Sequence, residues 1–214
     1  VWSCSPHNPT GSVTSTDEMA DLLERSRAEG ALLLSDECYA DVYEGDPPGS
    51  VLQVAGADLG GTLAFYSCSK RSGMTGYRSG AIIGDAEAIA ALVMLRSSAG
   101  VAPAEFVQAA AVAAWSDDDH AADRRAIFAA KRATLRRAFD ELGLPVVAST
   151  AALYLWVKVD DDVAVAGRLL ERGVVVSAGR AFGPGGEGYI RLALVPTLEE
   201  CEYAVTVLVE ALGT

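Results

Sequence analysis

The sequence predicts an α/β protein in which a mostly parallel sheet with flanking helices is followed by a small α+β domain. Short apolar segments with the composition of buried strands alternate with helical segments through the first half of the chain, which is the pattern of a two-sided parallel sheet. An alanine-rich helical stretch from Pro103 to Gly143 separates this half from a second group of short strands. We place the domain boundary inside that stretch and predict domains at residues 1–118 and 119–214.

The elements of the first half follow from hydrophobic spacing and from capping residues. Thr16 can cap a helix over residues 17–29, in which apolar residues recur at helical spacing and which Gly30 ends. The apolar runs ALLLSD, TLAFYS and AIIG predict buried strands. Asp85 can open a further helix over AEAIAALVMLRSS.

The second half is predicted to begin within a long helical stretch that breaks near residues 116–119 and resumes until Gly143. The runs PVVAS, ALYLWVKV, GVVVS and GYIRLALV predict strands. A helix is expected at about residues 163–172, and Thr197 can cap a final helix.

The chain opens on what resembles the tail of a strand, and the loop SPHNPTG follows at once. A sheet of so few strands would expose an edge and part of a face. We therefore expect further residues upstream of Val1 in the intact protein.

Composition and charge argue against several classes of function. No apolar run approaches the roughly 20 residues that span a bilayer, and no basic segment leads into an apolar one at the start, so we expect a cytoplasmic protein without a membrane partner. The net charge of −12 opposes binding to nucleic acid. The four cysteines lack CxxC spacing and the two histidines are isolated, which predicts neither a metal site nor a disulfide framework.

Two polar clusters follow predicted strands in the first half. In SPHNPTG, two prolines and a glycine fix a turn that leaves the amide of Asn8 facing outward, although an ordinary Asx turn also accounts for it. In SDECY, Asp36 and Tyr39 stand at the carboxyl end of a buried strand, where open α/β sheets bind ligands. Asp36 could merely cap a turn, but an acid and a phenol facing one crevice could bind an aromatic heterocycle.

The third cluster, SCSKRSGMTGYRSG, follows the next predicted strand. Lys70 lies three residues after Ser67 and eight before Arg78, among glycines that permit close backbone approach. A loop lysine is usually a solvated surface charge. Here the strand delivers it to the edge where ligands bind, and burial together with the cations Arg71 and Arg78 would favour the neutral, nucleophilic amine. Ser67 and Arg78 offer a hydroxyl and a planar charged fork, which suit a phosphate group.

The fourth cluster is GYIRLAL, in which Arg191 interrupts an otherwise apolar strand. A buried arginine without a partner is costly, so the guanidinium must face a carboxylate or an open site. It either makes an internal ion pair or binds the carboxylate of a ligand.

Taken in order, these four clusters resemble the signature regions of the class I/II aminotransferases, pyridoxal-phosphate enzymes of fold type I, and the resemblance spans the whole chain. It implies that Lys70 binds pyridoxal phosphate covalently and then moves the proton between the substrate α-carbon and the cofactor. It also implies that Ser67 and Arg78 hold the cofactor phosphate.

The same resemblance implies roles for the other three clusters. Asp36 would pair with the pyridine nitrogen, and Tyr39 and Asn8 would hydrogen-bond the phenolate oxygen of the ring. Arg191 would bind the α-carboxylate of the substrate. Small-molecule amino acids and 2-oxo acids would then be the substrates, and the protein at full length would be a homodimer.

Within the family, the segments SKRSGMTGYRSG, GVAPAEFVQAAAVAAWSDDDH and RRAIFAAKR are most similar to bacterial succinyldiaminopimelate aminotransferases of lysine biosynthesis. Such an enzyme passes an amino group between glutamate and a substrate with several carboxylates. Arg71 or Arg180 could bind the distal carboxylates, or either could be a solvated charge. The alternatives are a general aspartate, alanine or aromatic aminotransferase, a carbon–sulfur lyase, a cofactor-binding sensor domain of a transcription regulator, and an inactive fragment.

Overall fold

The computed structural model describes residues 1–100 and 102–213, which form two compact units. The first unit contains Val1–Pro6 and Val13–Arg124, and the second contains His7–Ser12 and Arg125–Thr214. The loop at residues 7–12 therefore belongs to the second unit although the residues on either side of it belong to the first.

The first unit contains the following elements in chain order: β1 (Trp2–Cys4), α1 (Thr16–Ala28), β2 (Leu33–Asp36), α2 (Val51–Ala55), β3 (Thr62–Ser67), α3 (Cys68–Arg71), a 3-10 turn (Thr75–Tyr77), β4 (Gly80–Gly84), α4 (Ala86–Ser98) and α5 (Glu105–Trp115). The helix α6 (Asp119–Glu141) begins in this unit and continues into the second. The predicted break in the long helical stretch lies between α5 and α6 and is confirmed.

Strands β1 to β4 lie side by side in chain order. The pairs β1–β2 and β2–β3 are parallel, and β3–β4 is antiparallel, which confirms the mostly parallel sheet. The register places Cys4 beside Asp36, Asp36 beside Phe65, and Ser67 beside Gly80. The segments that follow β1, β2 and β3 therefore meet at one edge of the sheet, together with the segment that precedes β4.

One face of this sheet is covered by α1 and α2. Met19 and Leu23 are one helical turn apart, so both side chains of α1 face Leu33, Val51 and Ala64 in a buried core. This packing fixes the backbones of β2 and β3, whose carboxyl ends form the edge described above.

The helix starts agree with the predicted caps except at α1. Asp85 caps α4 and Thr197 caps the last helix of the chain, as predicted. The predicted Thr16 cap is wrong by one residue, because Ser15 has the extended backbone of a cap and its hydroxyl accepts the N–H of Glu18. The Glu18 carboxylate in turn accepts the Ser15 N–H, which completes a capping box.

The second unit continues with β5 (Val146–Val147), β6 (Tyr154–Lys158), α7 (Asp162–Leu170), β7 (Ser177–Ala178), a 3-10 turn (Gly179–Phe182), β8 (Tyr189–Ala193) and α8 (Leu198–Leu212). The strands form an antiparallel sheet in the order β5-β6-β8-β7. The strand predicted for GVVVS is largely wrong, because Gly173 and Val174 donate their N–H groups to the last carbonyls of α7. Pairing with β8 begins at Ser177.

The alternation of side chains in β8 decides where its arginine lies. Ile190 and Leu192 are buried on one face of the strand, and Arg191 is partly buried on the other. In the described residues, 1–100 and 102–213, none of the helices is long and apolar enough to span a membrane.

An ion pair fixes the end of the second sheet. The Arg180 guanidinium donates to both oxygens of the buried Asp162 carboxylate at 2.7–3.1 Å, and the Arg180 N–H donates to the same group at 3.0 Å. These hydrogen bonds hold the pKa of Asp162 well below its usual range.

Replacing this carboxylate by an amide, Asp162→Asn, should destabilise the protein most at neutral pH. Because the pKa of Asp162 is lower in the folded protein than in the unfolded chain, its contribution is present above about pH 4 and is lost as the pH falls further. Urea unfolding at pH 7 and pH 3 measures the effect, with Asp160→Asn at an exposed position as the control. A difference from wild type that does not shrink at low pH would contradict this account.

Candidate functional site

Four functional groups of the first unit come to one edge of its sheet. Asp36 is the last residue of β2, and Ser67 is the last residue of β3. Lys70 lies on α3, directly after β3, and Arg78 lies two residues before β4 begins. The strand register therefore gathers a carboxylate, a hydroxyl, an amine and a guanidinium, as the parallel pattern predicts.

The pKa of the Cys38 thiol depends on two of these groups, Asp36 and Lys70. The Asp36 carboxylate accepts the Cys38 N–H at 3.1 Å. Burial, together with the hydrogen bond and negative charge of Asp36, raises the pKa of Cys38 to about 12, and the positive charge of Lys70 opposes this shift. Asp36 and Lys70 are thus both close enough to Cys38 to act on it, and the thiol stays protonated at neutral pH.

Lys70 is partly buried on a very short helix. Within the described part of the chain, its amine has no hydrogen bond or ion pair with another residue. Ser67 caps this helix, because its hydroxyl oxygen accepts the Ser69 N–H at 3.1 Å. The hydroxyl proton of Ser67 remains available to a ligand.

Arg78 adopts an unusual backbone conformation at the same edge. Its φ of 53° lies in the left-handed region, which a residue other than glycine occupies at a cost. One guanidinium N–H donates to the Thr75 carbonyl at 2.9 Å, and the side chain is exposed. The remaining donors of the guanidinium fork can bind an anion.

Tyr39 lies in the turn that follows β2. The N–H of Ala40 donates to Glu37 and that of Val42 donates to the carbonyl of Tyr39, so the chain folds back beside Asp36. The Tyr39 side chain is buried. Tyr39 and Asp36, which the sequence places in one polar cluster, therefore both belong to the first unit.

The sequence left open whether Arg71 binds a distal substrate carboxylate or is a solvated charge, and the structure instead places it in ion pairs within the protein. Its guanidinium is buried and makes ion pairs with Asp41 and Asp118. Arg180 is likewise engaged by Asp162. Both Nη atoms of Arg71 are thus engaged within the protein, and Arg180 uses its Nε and one Nη on Asp162.

Arg191 lies in the second unit between two aromatic rings. Its guanidinium carbon is 4.4 Å from the ring centre of Tyr154 and 4.5 Å from that of Phe182. One Nη donates to the side-chain oxygen of Asn8 at 2.8 Å, and the other is 3.4 Å from the Ser177 hydroxyl. Asn8 thus belongs to the second unit and orients Arg191.

Among the described residues, no carboxylate forms an ion pair with Arg191. Within residues 1–100 and 102–213 it makes no salt bridge, and its buried Nε has no hydrogen-bond partner. Of the two alternatives that the sequence left open, an internal ion pair is therefore not found among the described residues. The guanidinium has the chemistry to bind the carboxylate of a ligand.

The structure groups the predicted residues by unit. The first unit holds Asp36, Tyr39, Ser67, Lys70 and Arg78, and the second holds Asn8 and Arg191.

Tyr154 and Phe182 were not among the predicted site residues, because aromatic residues in apolar segments are most often core residues. The period-two alternation of the strands around Arg191 is the signal that could have found Tyr154. Among the residues that the structure describes, no group of three or more His, Cys, Asp or Glu side chains could hold a metal ion.

Comparison with known proteins decides the family. The family model for aminotransferase class I and II matches residues 1–208. The chain belongs to this family.

Several aminotransferases are similar to the chain in sequence. A probable aminotransferase of Mycobacterium tuberculosis is 41% identical over 94% of this chain and 49% of its own length. The 4-dedimethylamino-4-oxo-anhydrotetracycline transaminase of Streptomyces rimosus is 39% identical over 93% of this chain and 56% of its own length. An LL-diaminopimelate aminotransferase of Gloeobacter violaceus is 32% identical over 96% of this chain and 54% of its own length. The chain therefore spans about half the length of the curated relatives it matches.

Solved aminotransferases share the fold. The probable N-succinyldiaminopimelate aminotransferase of Thermus thermophilus superimposes with a TM-score of 0.85 and 31% identity, covering 99% of this chain and 58% of its own. This likeness confirms the predicted fold type I.

Members of this aminotransferase family use pyridoxal phosphate, and the edge residues of the first unit have the chemistry to hold it. The cofactor carries an aldehyde, a pyridine nitrogen and a phosphate. The edge offers an unengaged amine in Lys70, a carboxylate in Asp36, and a hydroxyl with a guanidinium in Ser67 and Arg78. The residues present fit the cofactor.

Close approach of β4 to β3 at this edge requires glycine at position 80. A Cβ there would overlap the carbonyl oxygen of Tyr66, whereas a Cβ on Gly76 would have no neighbour within 4 Å. We expect Gly80→Ala to lower the free energy of unfolding by about 1–3 kcal/mol and Gly76→Ala to change it by less than about 0.5 kcal/mol. Urea unfolding followed by circular dichroism measures both, and equal stability of the two variants would refute the close packing.

Proposed function

We propose that the protein carrying this chain is a pyridoxal-phosphate-dependent aminotransferase in which Lys70 binds the cofactor covalently. The observation that carries the proposal is the placement of a partly buried, unengaged amine at the same sheet edge as Asp36, Ser67 and Arg78. Once it is neutral, the amine can condense with an aldehyde, and the aldehyde oxygen leaves as water. The activity, substrates and partners of the whole protein are part of this proposal.

The phosphate of the cofactor is assigned to Ser67 and Arg78. The Ser67 hydroxyl accepts one backbone N–H and keeps its own proton to donate. Arg78 uses one N–H internally and exposes the rest of its fork. A hydroxyl and a guanidinium together suit a phosphate dianion.

The ring of the cofactor is assigned to Asp36, with Tyr39 and Asn8 at the ring oxygen. A carboxylate and a cation about 4 Å apart attract each other by about 4 kcal/mol at an effective dielectric constant near 20. Asp36 would therefore keep the pyridine nitrogen protonated. When bound, the protonated cofactor ring accepts the electrons that remain on the substrate after the α-carbon loses its proton.

The substrate α-carboxylate is assigned to Arg191. The two aromatic faces hold the guanidinium without neutralising it, and Asn8 fixes one of its nitrogens. Once the amino group of the substrate has displaced Lys70 from the cofactor aldehyde carbon, the freed Nζ of Lys70 would carry the proton to and from the substrate α-carbon, which is the role of a positioned general base.

For the substrates, we propose glutamate as amino donor and N-succinyl-2-amino-6-oxopimelate as acceptor, as in lysine biosynthesis, in a homodimer of the full-length protein. The support is the similarity to the succinyldiaminopimelate enzyme of Thermus thermophilus and to the LL-diaminopimelate enzyme of Gloeobacter violaceus. The tetracycline-pathway relative shows that similar chains serve other substrates.

A substrate panel separates this proposal from its alternatives. The full encoded protein is mixed with pyridoxal phosphate, and its visible spectrum is recorded with glutamate, aspartate, alanine, an aromatic amino acid and cystathionine in turn. Bleaching by glutamate that the succinylated keto acid reverses supports the proposal. Bleaching by another donor alone, release of a thiol from cystathionine, or cofactor binding without turnover would contradict it.

The role of Asp36 yields a quantitative prediction. Loss of about 4 kcal/mol of stabilisation corresponds to about a thousandfold loss of kcat, so Asp36→Ala should lose activity on that order. Lys70 should still be modified after borohydride reduction with pyridoxal phosphate, as judged by peptide mass mapping. Asp46→Ala, which removes an exposed carboxylate, is the control. Unchanged turnover in Asp36→Ala would refute the assignment.

A further inference from the structure

The two residues that follow Lys70 are both anchored to the segment Trp115–His120, which joins α5 to α6 and is here called the junction segment. We propose that the junction segment, acting through Arg71 and Ser72, positions α3 and thereby sets the direction of the Lys70 side chain. This inference rests on the proposed function, in which Lys70 is the reacting amine.

Arg71 makes the stronger of the two anchors. Its side chain is only 4% exposed. One Nη donates to the Asp41 carboxylate at 3.1 Å, and the other donates to the Asp118 carboxylate and to the Asp117 carbonyl, the latter at 3.1 Å. A planar fork held on both sides has one orientation, whereas a lysine at this position could satisfy neither geometry fully.

Trp115 extends this anchor to the sheet. The Arg71 guanidinium carbon lies 5.3 Å from the centre of the Trp115 ring, and that ring meets Tyr66 edge-on at 6.3 Å. The Tyr66 hydroxyl donates to the buried Glu37 at 2.6 Å, in the turn that follows β2. The junction segment is therefore connected to the strands that carry Asp36 and Ser67.

Ser72 makes the second anchor. Its hydroxyl lies 2.9 Å from Nε2 of His120, and Nδ1 of His120 lies 3.1 Å from the Asp117 carboxylate. Asp117 also accepts the backbone N–H groups of Asp119 and His120 and so stabilises the start of α6. A serine, a histidine and an aspartate connected in this order resemble a nucleophilic triad, but the helix-start bonds of Asp117 favour a structural role.

A short helix needs such anchors. Helix α3 has four residues, and a helix of this length is not stable without tertiary contacts. Successive side chains on a helix point about 100° apart, so fixing Arg71 toward the junction segment directs Lys70 away from it. The polar run SDDDH within the junction segment therefore contributes to the position of α3.

The test uses the full encoded protein and two variants that weaken the Arg71 anchor. Asp118→Asn removes a carboxylate that is 93% exposed, so the variant should fold, and Arg71→Lys keeps the charge but loses the fork. The matched controls are Asp123→Asn and Arg25→Lys, both at exposed positions.

Two readouts report on the position of the amine. The first is the rate at which pyridoxal phosphate becomes attached to Lys70, measured by borohydride trapping and peptide mass mapping. The second is the split between kcat and the KM for the amino donor. We expect slower attachment and a kcat reduced about tenfold in Arg71→Lys, a smaller reduction in Asp118→Asn, and a KM within twofold of wild type, because Lys70 moves protons and does not bind the donor carboxylate. The controls should match wild type in both readouts.

The outcomes distinguish this inference from the proposed function. Attachment at Lys70 in wild type, with unchanged rate and kcat in both variants, would overturn the positioning role and leave the proposed function intact. Failure of wild type to attach the cofactor at Lys70 would overturn both. If Arg71→Lys does not fold, the attachment rate and kcat of Asp118→Asn decide the question.

Discussion

The pairing of β3 with a parallel neighbour on one side and an antiparallel neighbour on the other is the constraint on which the site depends. Parallel pairing with β2 puts the end of β2 beside the end of β3, and antiparallel pairing brings the start of β4 to the same place. A slip of one residue would turn every side chain to the opposite face. Close packing of Gly80 against Tyr66 opposes such a slip. Asp36 and Lys70 therefore share an edge because of backbone pairing, without a hydrogen bond or ion pair between them.

Charge compensation separates the structural arginines from the candidate binding arginine. Arg71 and Arg180 face carboxylates of the protein, so their charges are already balanced. Arg191 faces two aromatic rings, an amide and a hydroxyl, which orient the guanidinium but do not neutralise its charge. A partly buried cation in that state gains most from an incoming anion. Among these three arginines, Arg191 is therefore the one whose surroundings indicate a binding role.

Local signals allowed much of the fold and site to be predicted. The apolar strands, the break between α5 and α6, and the placement of Asp36 and Lys70 at strand ends follow from short-range patterns. The partners of Arg71 could not be predicted, because Asp41 and Asp118 lie 30 and 47 residues away and meet it only in the folded chain. The contact of Asn8 with Arg191 could not be predicted for the same reason, because the two residues are 183 positions apart in the chain.

The central claim is that the sheet edge formed by β2, β3 and β4 holds the cofactor through Lys70 and Asp36. A crystal structure of the full encoded protein grown with pyridoxal phosphate tests it most directly. The account predicts continuous electron density from Nζ of Lys70 to the cofactor, with the Asp36 carboxylate within hydrogen-bond distance of the ring nitrogen. Attachment of the cofactor to another lysine, such as Lys131, or a ring nitrogen that faces away from Asp36, would contradict it.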